Sequence, residues 1–217
     1  MSTASQSSTF TPATFAAAQA SEPARRRWTR AEYHFLGEQG LFQDQRVELI
    51  DGEIILLSPR SPQHAYGSEA IRRLLDRAFG DDYWVRFHGP LTHGEDSEPE
   101  PDICVVRGSL DHFARAHPTT SLLIVEVSQS SLQYDKRTKQ HLYASMSVPE
   151  YWILDLIHRQ LMVHRDPQLD DAVRFGHSYA SVTVIGDAGS VSPLAKPEAT
   201  LAVAAMLPPK QSPPENE

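Results

Sequence analysis

The sequence carries one cysteine in 217 residues, Cys104. A lone thiol excludes an internal disulfide and a cysteine-based zinc knuckle, and it fits a reducing compartment. Long hydrophobic runs are also missing: no apolar stretch approaches the ~20 residues of a membrane span. The N-terminal stretch has neither the basic region nor the apolar segment of a secretory signal. The expectation is therefore a cytoplasmic protein with no membrane partner. Positive charge is the third scarcity. Lys and Arg number 20 against 28 Asp and Glu, a formal net charge of −8. That argues against a chain whose main task is coating nucleic acid or anionic lipid, while leaving room for a local basic cleft.

What remains is an ordinary globular composition, 40% apolar and 22% charged, long enough for one domain with a real core. Residues 1–23 are Ser-, Thr-, Ala- and Gln-rich without a usable period and predict a disordered leader. Residues 208–217 read as a disordered Pro-rich tail, which leaves a domain over 24–207.

The domain opens with a capping-box spacing, Thr29 to Glu32, and a short helix ending near Gly40. Asp51-Gly52 between the apolar runs 46–50 and 53–57 predicts a hairpin. Ser61-Pro62 marks a helix start, and Ala70, Ile71, Leu74, Leu75 and Ala78 form its apolar stripe before Gly80. Strands are expected at 83–87, 103–106, 122–127, 151–154 and 160–164, with edge strands at 182–185 and near Leu201. Residues 131–146 read as a helix. The irregular alternation predicts an α/β fold, a mixed sheet flanked by helices.

Glu126 is the most informative residue, because it interrupts the apolar run 122–127. A buried carboxylate needs a proton, a cation or hydrogen bonds, so a salt bridge and a functional site remain equal alternatives. Asp102 directly precedes the apolar strand 103–106. If the two strands are neighbours, Asp102 and Glu126 converge at one sheet end, where a divalent cation relieves their repulsion. Oxygen ligands suit Mg²⁺ or Mn²⁺. Asp135, Lys139 and Tyr143 are spaced i,i+4 on the next helix, which places them on one face; it is either an ion-pair stripe or an ammonium aimed at the acids. Glu48, opposite Ile55 in the hairpin, is an acid on a partly apolar face, for which a surface edge is the simpler account. The stretch 94–101, with Glu95, Asp96, Glu98 and Glu100, reads as a solvated acidic loop.

These segments together resemble a known family. Glu-Leu-Ile-Asp-Gly-Glu (48–53), Ser-Pro-x-His (61–64), Pro-Asp-Ile (101–103), Ile-Val-Glu-Val-Ser (124–128), Asp-x-x-x-Lys-x-x-x-Tyr (135–143) and Val-Pro-Glu-Tyr-Trp (148–152) are similar, in order, to the Uma2 (DUF820) family. That bacterial group consists of restriction-endonuclease-like proteins with the PD-(D/E)XK nuclease fold. The resemblance spans roughly 26–165 and implies a Mg²⁺-dependent DNA endonuclease, with Mn²⁺ as a substitute. It implies that Asp102 and Glu126 are metal ligands, that Glu48 is a third acid of the site, and that Lys139 is the catalytic lysine, displaced onto the helix because Ser128 stands where the general motif has lysine. Tyr143 and His64 match accessory positions. The chain lacks the family's usual proline in the segment 126–131.

In such a site, an ammonium between carboxylates resists losing its proton, so an electrostatic role for Lys139 is favoured over that of a base. DNA contacts are expected from Arg25–Arg27 with Arg30, from Arg72, Arg73 and Arg77, and from Lys136-Arg137, although such clusters are commonly solvated faces. Cutting both strands of a duplex calls for two sites, hence a homodimer. The competing expectation is a catalytically inactive nuclease-fold protein that acts as a DNA-binding or regulatory module. A histidine-based zinc hydrolase is disfavoured, because the ten histidines are scattered without an HExxH motif and read as surface or capping residues. A serine nucleophile within 128–131 lacks a Gly-x-Ser-x-Gly elbow.

Overall fold

The computed structural model describes residues 25–210. The leader expected over 1–23 and residues 211–217 of the expected tail lie outside the described residues. The element order is α1 (Arg30–Glu38), β1 (Val47–Ile50), β2 (Glu53–Leu56), α2 (Pro62–Phe79), β3 (Tyr83–Phe87), β4 (Ile103–Arg107), β5 (Leu123–Ser128), α3 (Leu132–Tyr134), a π-helical turn (Asp135–Lys139), α4 (Gln140–Ser145), β6 (Glu150–Asp155), β7 (Gln160–Leu169), β8 (His177–Gly186), β9 (Ser190–Val191) and β10 (Leu201–Ala202). Short 3₁₀ turns fill some of the connections.

Local signals set the ends of the early elements. Thr29 caps α1 with a reciprocal capping box to Glu32. Ser61 accepts the His64 N–H, with Pro62 at the first helical position of α2. The Asp51-Gly52 turn has positive φ at both residues, 51° and 71°, as a two-residue hairpin requires. Glycine is needed at 52 for a second reason: a Cβ there would lie 2.6 Å from the Arg27 Cβ.

Six strands form one sheet in the order β3-β4-β5-β6-β7-β8. β5 and β6 pair in parallel and every other neighbour pairs antiparallel. The parallel step is made by the helical crossover 132–145, since parallel neighbours cannot be joined by a tight turn. Strand alternation divides the sheet into two cores. Ile71, Leu75 and Phe79 of α2 cover the face of Ile103, Val105, Leu123, Val125 and Val127. Leu142, Tyr143 and Ala144 of α4 cover the opposite face, with Cys104, Val106, Ile124, Tyr151 and Ile153. Each fully buried aliphatic chain here contributes about 1.5–3 kcal/mol. Position parity puts Asp102 and Glu126 on the α4 side of this sheet.

Three expectations require correction. The helix expected over 131–146 is broken by the π-helical turn, where the Gln140 N–H bonds back to Asp135 O. The edge strand expected at 182–185 is a ten-residue strand, His177–Gly186. Its exposed Val182 and Val184 carry no alternating signal beyond those residues. The stretch 94–101 is not a solvated loop: Ser97 and Glu98 are buried, because Glu98 bridges to Leu49 of the hairpin and so ties β1 to the segment carrying Asp102. Past β10, Arg159 donates to Pro208 O at 2.9 Å. Among the described residues no helix is long and apolar enough to cross a membrane.

Candidate functional site

Strand pairing assembles the site. Ile103 of β4 sits opposite Val125 of β5, so Asp102, one residue before β4, lies beside Glu126. The Asp102 N–H donates to Glu126 Oε2 at 3.2 Å, and the Val127 N–H donates to Asp102 Oδ2 at 2.9 Å. Both side chains are buried. The β1–β2 hairpin brings in Glu48, which is fully buried and not the surface edge residue that its local sequence suggested. It accepts the Glu100 N–H at 3.0 Å.

Lys139 ties the acids together. Its Nζ lies 2.7 Å from Glu48 Oε2, 3.0 Å from Glu126 Oε1 and 3.3 Å from Tyr143 Oη. Tyr143 also donates to Glu126 Oε1 at 2.7 Å, and Tyr134 donates to Glu48 Oε1 at 3.1 Å. Lys139 is the last residue of the π-helical turn, and Tyr143 follows one turn later in α4. Asp135, the first residue of the turn, is also buried and lines the same cavity as Lys139. It accepts hydrogen bonds from Ser128 and from Ser131, the latter at 2.6 Å. Ser128 thus ties the end of β5 to the turn from which Lys139 projects.

His64, from the first turn of α2, reaches Asp102 Oδ2 with Nε2 at 3.0 Å. Two further groups at Asp102 were not anticipated from sequence. His88 comes directly after β3, whose Phe87 pairs with Ile103; its Nδ1 stands 3.4 Å from Asp102 Oδ1. Arg60 Nε stands 3.7 Å from the same oxygen. The β3–β4 register is the signal that places His88 beside Asp102, and it is not visible in the sequence. The scattered histidines are accordingly not all surface residues: His164 is 2% exposed, and His64 and His88 face the acid.

The electrostatics sort these groups. Burial raises the carboxyl of Asp102, but His64, His88 and the Val127 N–H overcome it and hold the group well below the usual range. Burial pushes Glu126 upward, and Asp102, Asp135 and Glu48 add repulsion against the pull of Lys139. Burial also raises Glu100 and Asp135. Burial alone would lower Lys139, yet Glu126 and Glu48 hold it well above the ordinary lysine value, so it remains an ammonium. His88 is pushed down, by burial first.

Asp102, Glu126, Lys139, His64, Arg60 and Tyr134 line one open cavity of about 370 Å³. Among the described residues no three His, Cys, Asp or Glu side chains are arranged to hold a metal ion. The donor set nevertheless fits a hard divalent cation. Asp102 and Glu126 offer oxygens from adjacent strands. Mg²⁺ commonly binds through one or two carboxylates and completes its shell with water or phosphate.

The basic clusters are largely committed elsewhere. Arg26 pairs with Glu32, Arg27 with Asp51, and Arg30 bonds Gly94 O. Arg72 and Arg73 pair with Glu69 on their own helix.

Comparison with curated proteins gives no significant match. A solved structure described as "a putative nuclease belonging to DUF820 from Anabaena variabilis ATCC 29413" superposes with a TM-score of 0.64 at 16% identity, covering 82% of this chain and 96% of that one. That likeness establishes the fold. The profile of a family described as "Putative restriction endonuclease", Uma2, matches residues 30–204. With four-fifths of its length matched and the site acids inside the matched span, the chain belongs to the Uma2 family of restriction-endonuclease-like proteins.

Proposed function

We propose that this protein is a divalent-metal-dependent DNA endonuclease whose site is Asp102, Glu126, Glu48 and Lys139. The observation that carries the proposal is the buried ammonium of Lys139 shared between Glu48 and Glu126, one strand from Asp102, at the wall of an open cavity. Asp102 and Glu126 would hold Mg²⁺ or Mn²⁺, which supplies Lewis acidity and a bound water of lowered pKa. Lys139 stays charged and offsets the negative charge that develops on the phosphate during hydrolysis. Glu48 and Tyr143 fix the position of that ammonium, and Tyr134 fixes Glu48. His64 orients Asp102. A homodimer would supply a site for each strand.

The test is plasmid cleavage with Mg²⁺, Mn²⁺ or EDTA, comparing wild type with Asp102→Ala and Glu126→Ala. Metal-dependent nicking that disappears in both variants is the expected result. One observation favours a second reading, a catalytically inactive DNA-binding or regulatory module: Asp102 is already engaged by His64 and the Val127 N–H, and no three-ligand cluster exists among the described residues. Absence of cleavage together with absence of metal binding by calorimetry would establish that reading instead.

A further inference from the structure

Two arginines enter the acidic cavity without committing to an acid. Arg46 directly precedes β1 and Arg60 directly precedes Ser61, the cap of α2, and both line the cavity wall. Arg46 Nη1 makes a long 3.4 Å contact to Ser58 O, and its Nη2 stands 3.9 Å from Glu100 Oε2. Arg60 approaches Asp102 no closer than 3.7 Å. Its Nε and Nη2 are shielded from solvent and have no hydrogen-bond partner among the described residues. A buried charged donor left unsatisfied is costly, so such a group calls for an acceptor.

Most other arginines are more closely partnered; Arg86 and Arg159 also leave Nε without a partner, but each donates through Nη1 to a carbonyl, Pro90 O at 2.7 Å and Pro208 O at 2.9 Å. Arg165 reaches Glu150 at 2.6 Å, Arg72 reaches Glu69 at 2.8 Å and Arg174 reaches Asp51 at 2.9 Å. Those forks are spent on structure, whereas Arg46 and Arg60 are not. The donors define the ligand class. Planar N–H forks match oxyanions in two-point contacts, and a phosphodiester presents two non-bridging oxygens to share between two forks.

We infer that Arg46 and Arg60 form a clamp for the phosphodiester group of the substrate backbone, set at the wall of the cavity that holds Asp102 and Glu126. The inference rests on the nuclease reading and assigns that site its phosphate-binding residues. Arg60, resting 3.7 Å from Asp102, turns its unpartnered donors onto the phosphate when substrate arrives.

The test is binding of a short fluorescein-labelled DNA duplex, read by anisotropy over a salt series with Ca²⁺ in place of Mg²⁺. Wild type is compared with Arg46→Met, Arg60→Met and Arg60→Lys. Arg107→Met serves as a control, being exposed at the end of β4 remote from Asp102 and absent from the cavity wall. Each cavity variant to Met should weaken binding roughly ten- to a hundredfold and reduce the salt slope by about one unit. Arg60→Lys should keep the slope and recover only part of the affinity. Arg60→Met should melt no lower than wild type, because it removes unsatisfied donors, whereas a structural role would lower the melting point. Variants that bind like wild type while wild type cleaves plasmid would overturn the clamp and leave the nuclease reading intact. Weakened binding in the variants, with no cleavage by wild type under any metal, would sustain the clamp and overturn catalysis. A wild type that fails to bind the duplex at low salt would overturn the clamp.

Discussion

Replacing Lys139 by methionine keeps the length and apolar stem of the side chain and removes only the ammonium. In the native protein that residue is 3% exposed, and its ammonium lies 2.7 Å from Glu48 and 3.0 Å from Glu126. Without it, two buried carboxylates face a common space with only tyrosine hydroxyls and backbone N–H groups to stabilise them. Removing one partner of a buried ion pair costs about 3–5 kcal/mol. A domain of this size loses about 2–4 °C of melting temperature per kcal/mol, so Lys139→Met should melt roughly 6–20 °C below wild type. Calorimetric melting and urea titration in EDTA at neutral pH measure the effect without interference from bound cations. Lys139→Met/Glu126→Gln supplies the internal control. Tyr143 can still donate to the amide oxygen, and one of the stranded charges is gone, so the double variant should recover at least half of the loss. A Lys139→Met protein that melts within about 2 °C of wild type would refute the account of Lys139 as the charge that holds the acids. So would a double variant less stable than the single one.

Two more predictions concern buried titratable groups away from the site. His164 packs against Tyr151 and Tyr179 at ring-centroid distances of 5.3 and 5.9 Å, and its Nδ1 has no partner among the described residues. Burial pushes the imidazole down to about 4. The unfolded chain then binds the extra proton between about pH 6.5 and pH 4, so stability is lost as pH falls through that window, by on the order of 3 kcal/mol. His164→Phe should flatten this component of the unfolding free energy measured from pH 7 to pH 4; parallel curves for the two proteins would contradict the assignment. Cys104 is 1% exposed, and burial raises its thiol to about 12. It should not react with a thiol-disulfide reagent in the native state and should titrate fully in denaturant; rapid native labelling would contradict the burial.

Two acids of the candidate site were legible from residue chemistry alone. A carboxylate inside an apolar run and an aspartate abutting a second apolar run identify Glu126 and Asp102, because only a compensating environment makes such positions stable. The hairpin register comes from Asp-Gly turn chemistry and places Glu48 opposite Ile55, as the structure shows. The burial of Glu48 was not legible. It comes from the bridge between Leu49 and Glu98 and from the Lys139 ammonium, contacts 49 and 91 residues apart in sequence. The π-helical turn was not legible either: i,i+4 spacing reads as an unbroken α-helix, whereas the Gln140 N–H bonds back to Asp135 O and the Ser128 and Ser131 hydroxyls hold the Asp135 carboxylate.

The sequence by itself determined the elements whose causes are local. The capping box of α1, the Ser-Pro start of α2, the Asp-Gly hairpin and the apolar strand runs each depend on neighbours within a few residues, and the lone cysteine and modest charge bounded the class. Tertiary structure alone decided the strand order, the parallel β5–β6 step that sets α4 over the acids, and the convergence of His64, His88 and Arg60 on Asp102. Those groups come from separate segments, and their meeting depends on the antiparallel register of β3 with β4 and on α2 packing across the sheet. Side-chain chemistry marks which residues need partners, and long-range register decides which partners they find.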